Sequence, residues 1–242
     1  MKRILIVLIV SGLFISASAQ VQFGLQASGI SSSAKIKEEG ESFPGRKNLI
    51  GVRLGALVKI NLSDKFAFMP ELNYASKGTR FKQNETDEEL GYSITYFMDS
   101  KFTTSIIELP LNVAYSAPAG KKGSVVFGLG PVMSLGIGGK YNVDYKITST
   151  FPGIDSESEV IKGKIKFDGK TYDEVSDDDE DFHLKGLELG GNFFAGYQMN
   201  SGLFFRAGYN FGLTNISPNE DTKYTTSYFG VSVGYLFSKA AK

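Results

Sequence analysis

Residues Leu203–Ile216 read LFFRAGYNFGLTNI. Taken alternately, the stretch separates into two faces. Leu203, Phe205, Ala207, Tyr209, Phe211 and Leu213 form one; Phe204, Arg206, Gly208, Asn210, Gly212 and Thr214 form the other. Successive side chains of a strand point to opposite sides, so this alternation predicts a strand, and a long one. Strands of soluble proteins usually run about 5 or 6 residues. A tilted transmembrane strand places about 9 to 11 residues in hydrocarbon and continues past it.

The same period recurs in eight segments: Val21–Ser31, Leu49–Asn61, Lys65–Phe81, Phe102–Ala117, Ser124–Lys146, His183–Met199, Leu203–Ile216 and Thr225–Phe237. In the last, Phe229, Val231, Val233, Tyr235 and Phe237 oppose Gly230, Ser232 and Gly234. In the fourth, Ile107, Leu109, Leu111, Val113 and Tyr115 oppose Glu108, Pro110, Asn112 and Ser116. The apolar faces carry no charge across the expected membrane depth. The opposite faces carry Arg53, Lys59, Glu71, Lys77, Glu108, Glu188 and Arg206. A Lys or Arg facing lipid at mid-bilayer costs about 2–4 kcal/mol, so the charged face must line the interior. Four basic against three acidic residues can pair there. An eight-stranded barrel has an interior that side chains just fill, which predicts a plugged polar core. Gly128, Gly130, Gly136, Gly190, Gly208 and Gly212 would give the long charged side chains room, or let the sheet curve.

The connections alternate in length. Long gaps at Ser32–Asn48, Lys82–Lys101 and Ile147–Phe182 alternate with short ones at Leu62–Asp64, Pro118–Gly123 and Asn200–Gly202, and a medium one at Ser217–Tyr224. Short periplasmic turns and long extracellular loops are the habit of outer-membrane barrels. A soluble meander has no reason to sort its loops this way. Closure also removes the unpaired strand edges that hydrocarbon does not tolerate. Aromatics near segment ends, among them Phe66, Tyr115, Phe127, Tyr209, Tyr235 and Phe237, suit the interfacial belts.

The N-terminus reads as an address. Lys2-Arg3 precede an apolar run from Ile4 to Ile15, and Ala17-Ser18-Ala19 supplies a cleavage site. Residues 1–19 are therefore expected to be a removed signal peptide and 20–242 one barrel domain. Loss of Lys2 and Arg3 from 26 basic residues leaves 24 against 26 acidic ones. That balance gives no reason to expect nucleic-acid binding. The 242-residue chain has no Cys, which excludes disulfides, thiolate metal sites, a cysteine nucleophile and a lipidated cysteine.

PELNYASKG (Pro70–Gly78), IIELPLNVAY (Ile106–Tyr115) and GLGPVMSLG (Gly128–Gly136) together resemble the PorT-like outer-membrane β-barrel family of Bacteroidota. The resemblance spans nearly all of the chain after the leader. It implies an eight-stranded antiparallel up-and-down transmembrane β-barrel in the outer membrane, and it specifies fold better than role. The pentapeptide after Phe237 and the long acidic loop depart from the family pattern.

Asp155 to Asp181 hold eleven acidic residues and four lysines. Asp177, Asp179 and Asp181 have the spacing of a calcium loop, but Phe182 stands where that loop requires glycine. The stretch reads instead as a solvated, self-repelling surface loop, with no metal or cofactor expected. His183, the single histidine, lies near Asp181; without an assigned nucleophile the pair does not make an enzyme. The role read from these features is structural or surface-interacting. Membrane lipid is the first partner, and a protein partner would meet the extracellular loops. A small-solute channel, a secretion or transport accessory, and a soluble lipocalin-like ligand-binding barrel are the alternatives.

Overall fold

A computed structural model describes residues 21–237 apart from 39, 90, 154, 177 and 178. The leader expected at 1–19 and the pentapeptide after Phe237 lie outside the described residues. In chain order the strands are β1 (Val21–Glu38), β2 (Glu41–Ser42), β3 (Arg46–Asn61), β4 (Phe66–Glu89), β5 (Tyr92–Pro118), β6 (Gly123–Ser149), β7 (Glu157–Lys166), β8 (Phe182–His183), β9 (Leu187–Met199), β10 (Leu203–Gly212) and β11 (Thr222–Phe237). Eight of them close a ring, in the order β1, β3, β4, β5, β6, β9, β10, β11 and back to β1. Every neighbouring pair in the ring is antiparallel, and β1 meets β11 along Phe23–Glu38.

The alternation decides which way each side chain points. Leu25, Leu54, Leu72, Leu129, Leu189, Phe205 and Val231 face outward and are exposed, while Gln26, Arg53, Asn73, Asn192, Arg206 and Ser232 are buried. Such a continuous exposed apolar band requires a non-aqueous neighbour. Phe66 lies 5.3 Å from Tyr115 and Tyr235 5.4 Å from Phe237, all four exposed near the short-turn end. These pairs suit a headgroup-level belt.

Three features differ from the sequence expectation. The gap expected at Lys82–Lys101 is strand for most of its length. β4 and β5 pair from Phe66↔Tyr115 to Glu89↔Tyr92, with Gly91 at φ +81° just before β5. At about 3.3 Å per residue, these strands of 24 and 27 residues run far past the membrane. Both faces there meet water, so no hydrophobic alternation marks them. Polar cross-strand pairs hold them instead, Arg80 with Asp99 and Thr86 with Thr95.

The gap expected at Ile147–Phe182 is also partly folded. β6 pairs with β9 along Gly123–Leu135, then with β7 along Gly139–Ile147. The register shifts by one residue near Ile137, where Gly138 has φ +155°. This bulge turns the far half of β6 away from β9, and β7 takes up the edge that would otherwise stay open. β8 then adds parallel to β7.

Finally, the interior is layered rather than uniformly polar. Leu57, Met69, Val126, Phe194, Phe204 and Leu236 close the short-turn end. Ala34, Ile165, Leu184, Ile216 and Tyr224 pack at the long-loop end, with Phe102 and Phe182 against them. The charges lie between the two. Apolar inward residues such as Leu57 are invisible to a search for charge, but they share its face and fill the ends where water would enter.

Candidate functional site

Six of the seven charges singled out in the sequence meet in mid-barrel. Arg53 and Arg206 come from β3 and β10, Glu71 and Lys77 from β4, Glu108 from β5 and Glu188 from β9; each is under 9% exposed. Each sits on the inward parity of its strand, so ring closure alone brings them together. They balance, three cations against three carboxylates. Arg206 Nη1 donates to Glu71 Oε1 at 2.9 Å. Its guanidinium lies between the rings of Phe204 and Phe194, 4.3 and 4.5 Å from their centroids, a desolvated cation–π arrangement. Lys77 Nζ stands 3.3 Å from Glu188 and 3.8 Å from Glu108. Arg53 makes no direct ion pair among the described residues; its Nη1 donates to Tyr228 OH at 3.3 Å, and Tyr228 donates to Glu108 at 2.6 Å. Lys59 stands apart and donates to Gln198 Oε1 at 2.9 Å.

Sequence reasoning missed the uncharged members. Gln26 Nε2 donates to Glu71 Oε2 at 2.7 Å, and Thr226 donates to Glu188 at 2.7 Å while accepting from Lys77 at 2.7 Å. Tyr228 links Arg53 to the Lys77 group through Glu108. The signal for Tyr228 was present, since it is two residues from Gly230 on the inward face of β11, but polarity alone did not flag an aromatic residue. Of the interior glycines, Gly212 makes room for a charged side chain, because a Cβ there would overlap the Glu188 carboxylate. Gly128 instead makes room for the Phe194 ring that covers Arg206. The spaces left in this layer are about 20 and 10 Å³. The larger has room for one water and nothing more.

The acidic loop is organised rather than self-repelling. Lys166, on β7, stands 2.9 Å from Asp181 and 3.2 Å from Asp179. The Asp181 side chain also accepts from the Lys164 amide at 2.8 Å. His183 Nδ1 lies 2.8 Å from Asp168, so its carboxylate partner is Asp168 and not the neighbouring Asp181. The chain loops out past Lys166 and returns to set β8 parallel to β7, which brings His183 beside Asp168. The Asp179 carboxyl is held below the usual carboxylate range by the Asp181 amide and Lys166, and that of Asp181 by Lys166 and the Lys164 amide. Desolvation pushes Asp168 up, but its bonds to His183 and the Lys170 amide outweigh this and hold it low. No group of three metal-ligating side chains is assembled among the described residues.

The profile of a family described as outer membrane protein beta-barrel domain matches residues 15–218. The chain belongs to that family. Its location is the outer membrane, and its exposed apolar band meets membrane lipid. Among solved structures, this barrel is similar to OprG from Pseudomonas aeruginosa, with 15% identity over 91% of this chain and 97% of that one and a TM-score of 0.42. It is also similar to Ail, the attachment invasion locus protein of Yersinia pestis, with 16% identity over 89% and 99% of the two chains and a TM-score of 0.35. Neisserial surface protein A is 12% identical over 89% and 97%, with a TM-score of 0.36. A search of the curated proteins finds no match.

Proposed function

We propose that this chain is a closed outer-membrane barrel that works at its long-loop end as a surface-interaction protein, and not as a pore. The observation that carries this reading is the filled interior. An apolar layer seals the short-turn end, a paired charge layer fills the middle, and the spaces left in that layer are no larger than a water. The sorting of connections supports an outward-facing loop end, with protein partners meeting the strands and loops that project there. The segments that resemble PorT-like barrels of Bacteroidota lie on β4, β5 and β6, neighbours in the ring, which favours a place in that branch. The reading is non-catalytic, since His183 Nε2 has no hydroxyl partner among the described residues. Reconstitution of the mature chain into planar bilayers tests it. The expected record shows no steps above the bare membrane. Reproducible single-channel steps from the native protein would overturn closure and return the channel alternative.

A further inference from the structure

Above the charge layer, at the long-loop end, the barrel wall and the folded loop border a partly open cavity of about 520 Å³. Small-molecule sites span about 300–1,000 Å³. Nothing in the plugged-barrel reading requires this space. We infer that it binds a small aromatic amine: an apolar body carrying one protonated amino group. The inference rests on the loop end being the working end; it does not depend on the barrel being closed.

The apolar body is matched by the wall. Phe43, Phe81, Phe102, Phe182 and Tyr224 line the cavity as one aromatic run, with successive ring centroids 5.5, 6.3, 5.5 and 6.4 Å apart. Such rings offer edges and faces to an aromatic guest and attract a cation near it.

The amine is called for by one unpaired acceptor. The His183 side chain is 6% exposed and lines the cavity. Its Nδ1–H donates to the Asp168 carboxylate, so in the neutral ring Nε2 carries a lone pair. That nitrogen is buried and has no hydrogen-bond partner among the described residues. The nearest candidate, Asp179 Oδ2 at 3.5 Å, is itself an acceptor. In the neutral ring, the buried Nε2 lone pair faces the partly exposed Asp179 carboxylate with no proton between them, which leaves the imidazole acceptor unsatisfied. A ligand donor relieves it. An ammonium has several protons and can serve both, whereas a hydroxyl has one. Charge points the same way. Glu38, Asp179, Glu180 and Asp181 line the cavity against Lys170, and Lys166 offsets only part of that excess. An anionic guest is repelled.

The test uses the full mature protein in lipid nanodiscs, with empty discs as the blank. The probes are naphthylmethylamine, naphthylmethanol and naphthoate, which share one aromatic body. The chain has no Trp, so naphthalene emission is read without indole background. Saturable binding of the amine is expected, about tenfold or more tighter than the alcohol, with naphthoate weakest. His183→Leu should keep the alcohol affinity and lose the preference for the amine. Val143→Phe, which fills the cavity from β6, should block all three probes. Folding of both variants is checked by heat-dependent gel mobility. Equal affinity for naphthoate and the amine would overturn the inference. So would amine binding that survives Val143→Phe, or no saturable binding above empty discs. None of these outcomes bears on conductance, so failure here leaves the closed-barrel reading to its own test.

Discussion

Replacing Glu71 by Leu isolates what the central ion pair contributes. Arg206 stands 2.9 Å from Glu71, is 7% exposed and has no other carboxylate within 4.0 Å among the described residues. At an effective dielectric of about 20, the gross attraction at that distance is about 6 kcal/mol. Most of it is offset by the desolvation of both groups. The single substitution loses the attraction and keeps the desolvation of Arg206, pressed between two phenylalanine rings. Breaking a buried pair in this way costs about 3–5 kcal/mol. Arg206→Met strands Glu71 less severely, because Gln26 and Asn112 still donate to it at 2.7 and 3.5 Å. A cost of about 2–4 kcal/mol is expected there. In the double variant, Glu71→Leu with Arg206→Met, no charge is stranded, and replacement of such a pair by apolar groups is often close to neutral, about 0–1 kcal/mol. The cycle should therefore show a coupling of about 3 kcal/mol or more. The assay is reversible urea unfolding from lipid vesicles, followed by far-ultraviolet circular dichroism, with midpoints compared at unchanged slope. Single costs that add in the double variant to within about 0.5 kcal/mol would refute the reasoning. The pair would then be a contact without consequence.

Gly128→Val should destabilise the barrel by about 1–3 kcal/mol through overpacking, because the new side chain meets the Phe194 ring; a urea midpoint equal to the native one would contradict the packing described. The loop cap should hold from neutral pH down to about pH 4, the usual carboxylate range, and open below it. Asp168, Asp179 and Asp181 have depressed values in the fold, so their contribution is present above the unfolded value and is lost as pH falls through the folded one. Limited pepsin digestion between pH 5 and pH 2 reads this directly, and cleavage that sets in already at pH 5 would count against the Lys166 and His183 contacts. Trypsin added to intact cells should cut after exposed Lys170 and leave a membrane-bound core; cleavage that needs a permeabilised outer membrane would reverse the orientation.

What was legible in the sequence follows from one physical fact. A strand that separates lipid from a polar interior must alternate, so Leu203–Gly212 announced both its conformation and its facing, and with it the burial of Arg206. The seven charges on the inward parity are buried in the fold, and short turns stand at Asn200–Gly202 and Leu62–Asp64. The alternation rule failed where both faces meet the same solvent. The water-bathed extension of β4 and β5 carries no alternation, and the loop between β6 and β9 showed only its charge. Partnership was also beyond it. Parity says that Arg53, Glu108 and Tyr228 point inward, but only ring closure and register place Tyr228 between the other two. The pairing of His183 with Asp168, the cap on Lys166 and the aromatic cavity depend on a bulge at Ile137 and on the fold-back of β7 and β8. Facing is a local property of alternating residues and can be read along the chain. Which inward groups meet is set by contacts between residues far apart in sequence, and these exist only once the sheet has closed.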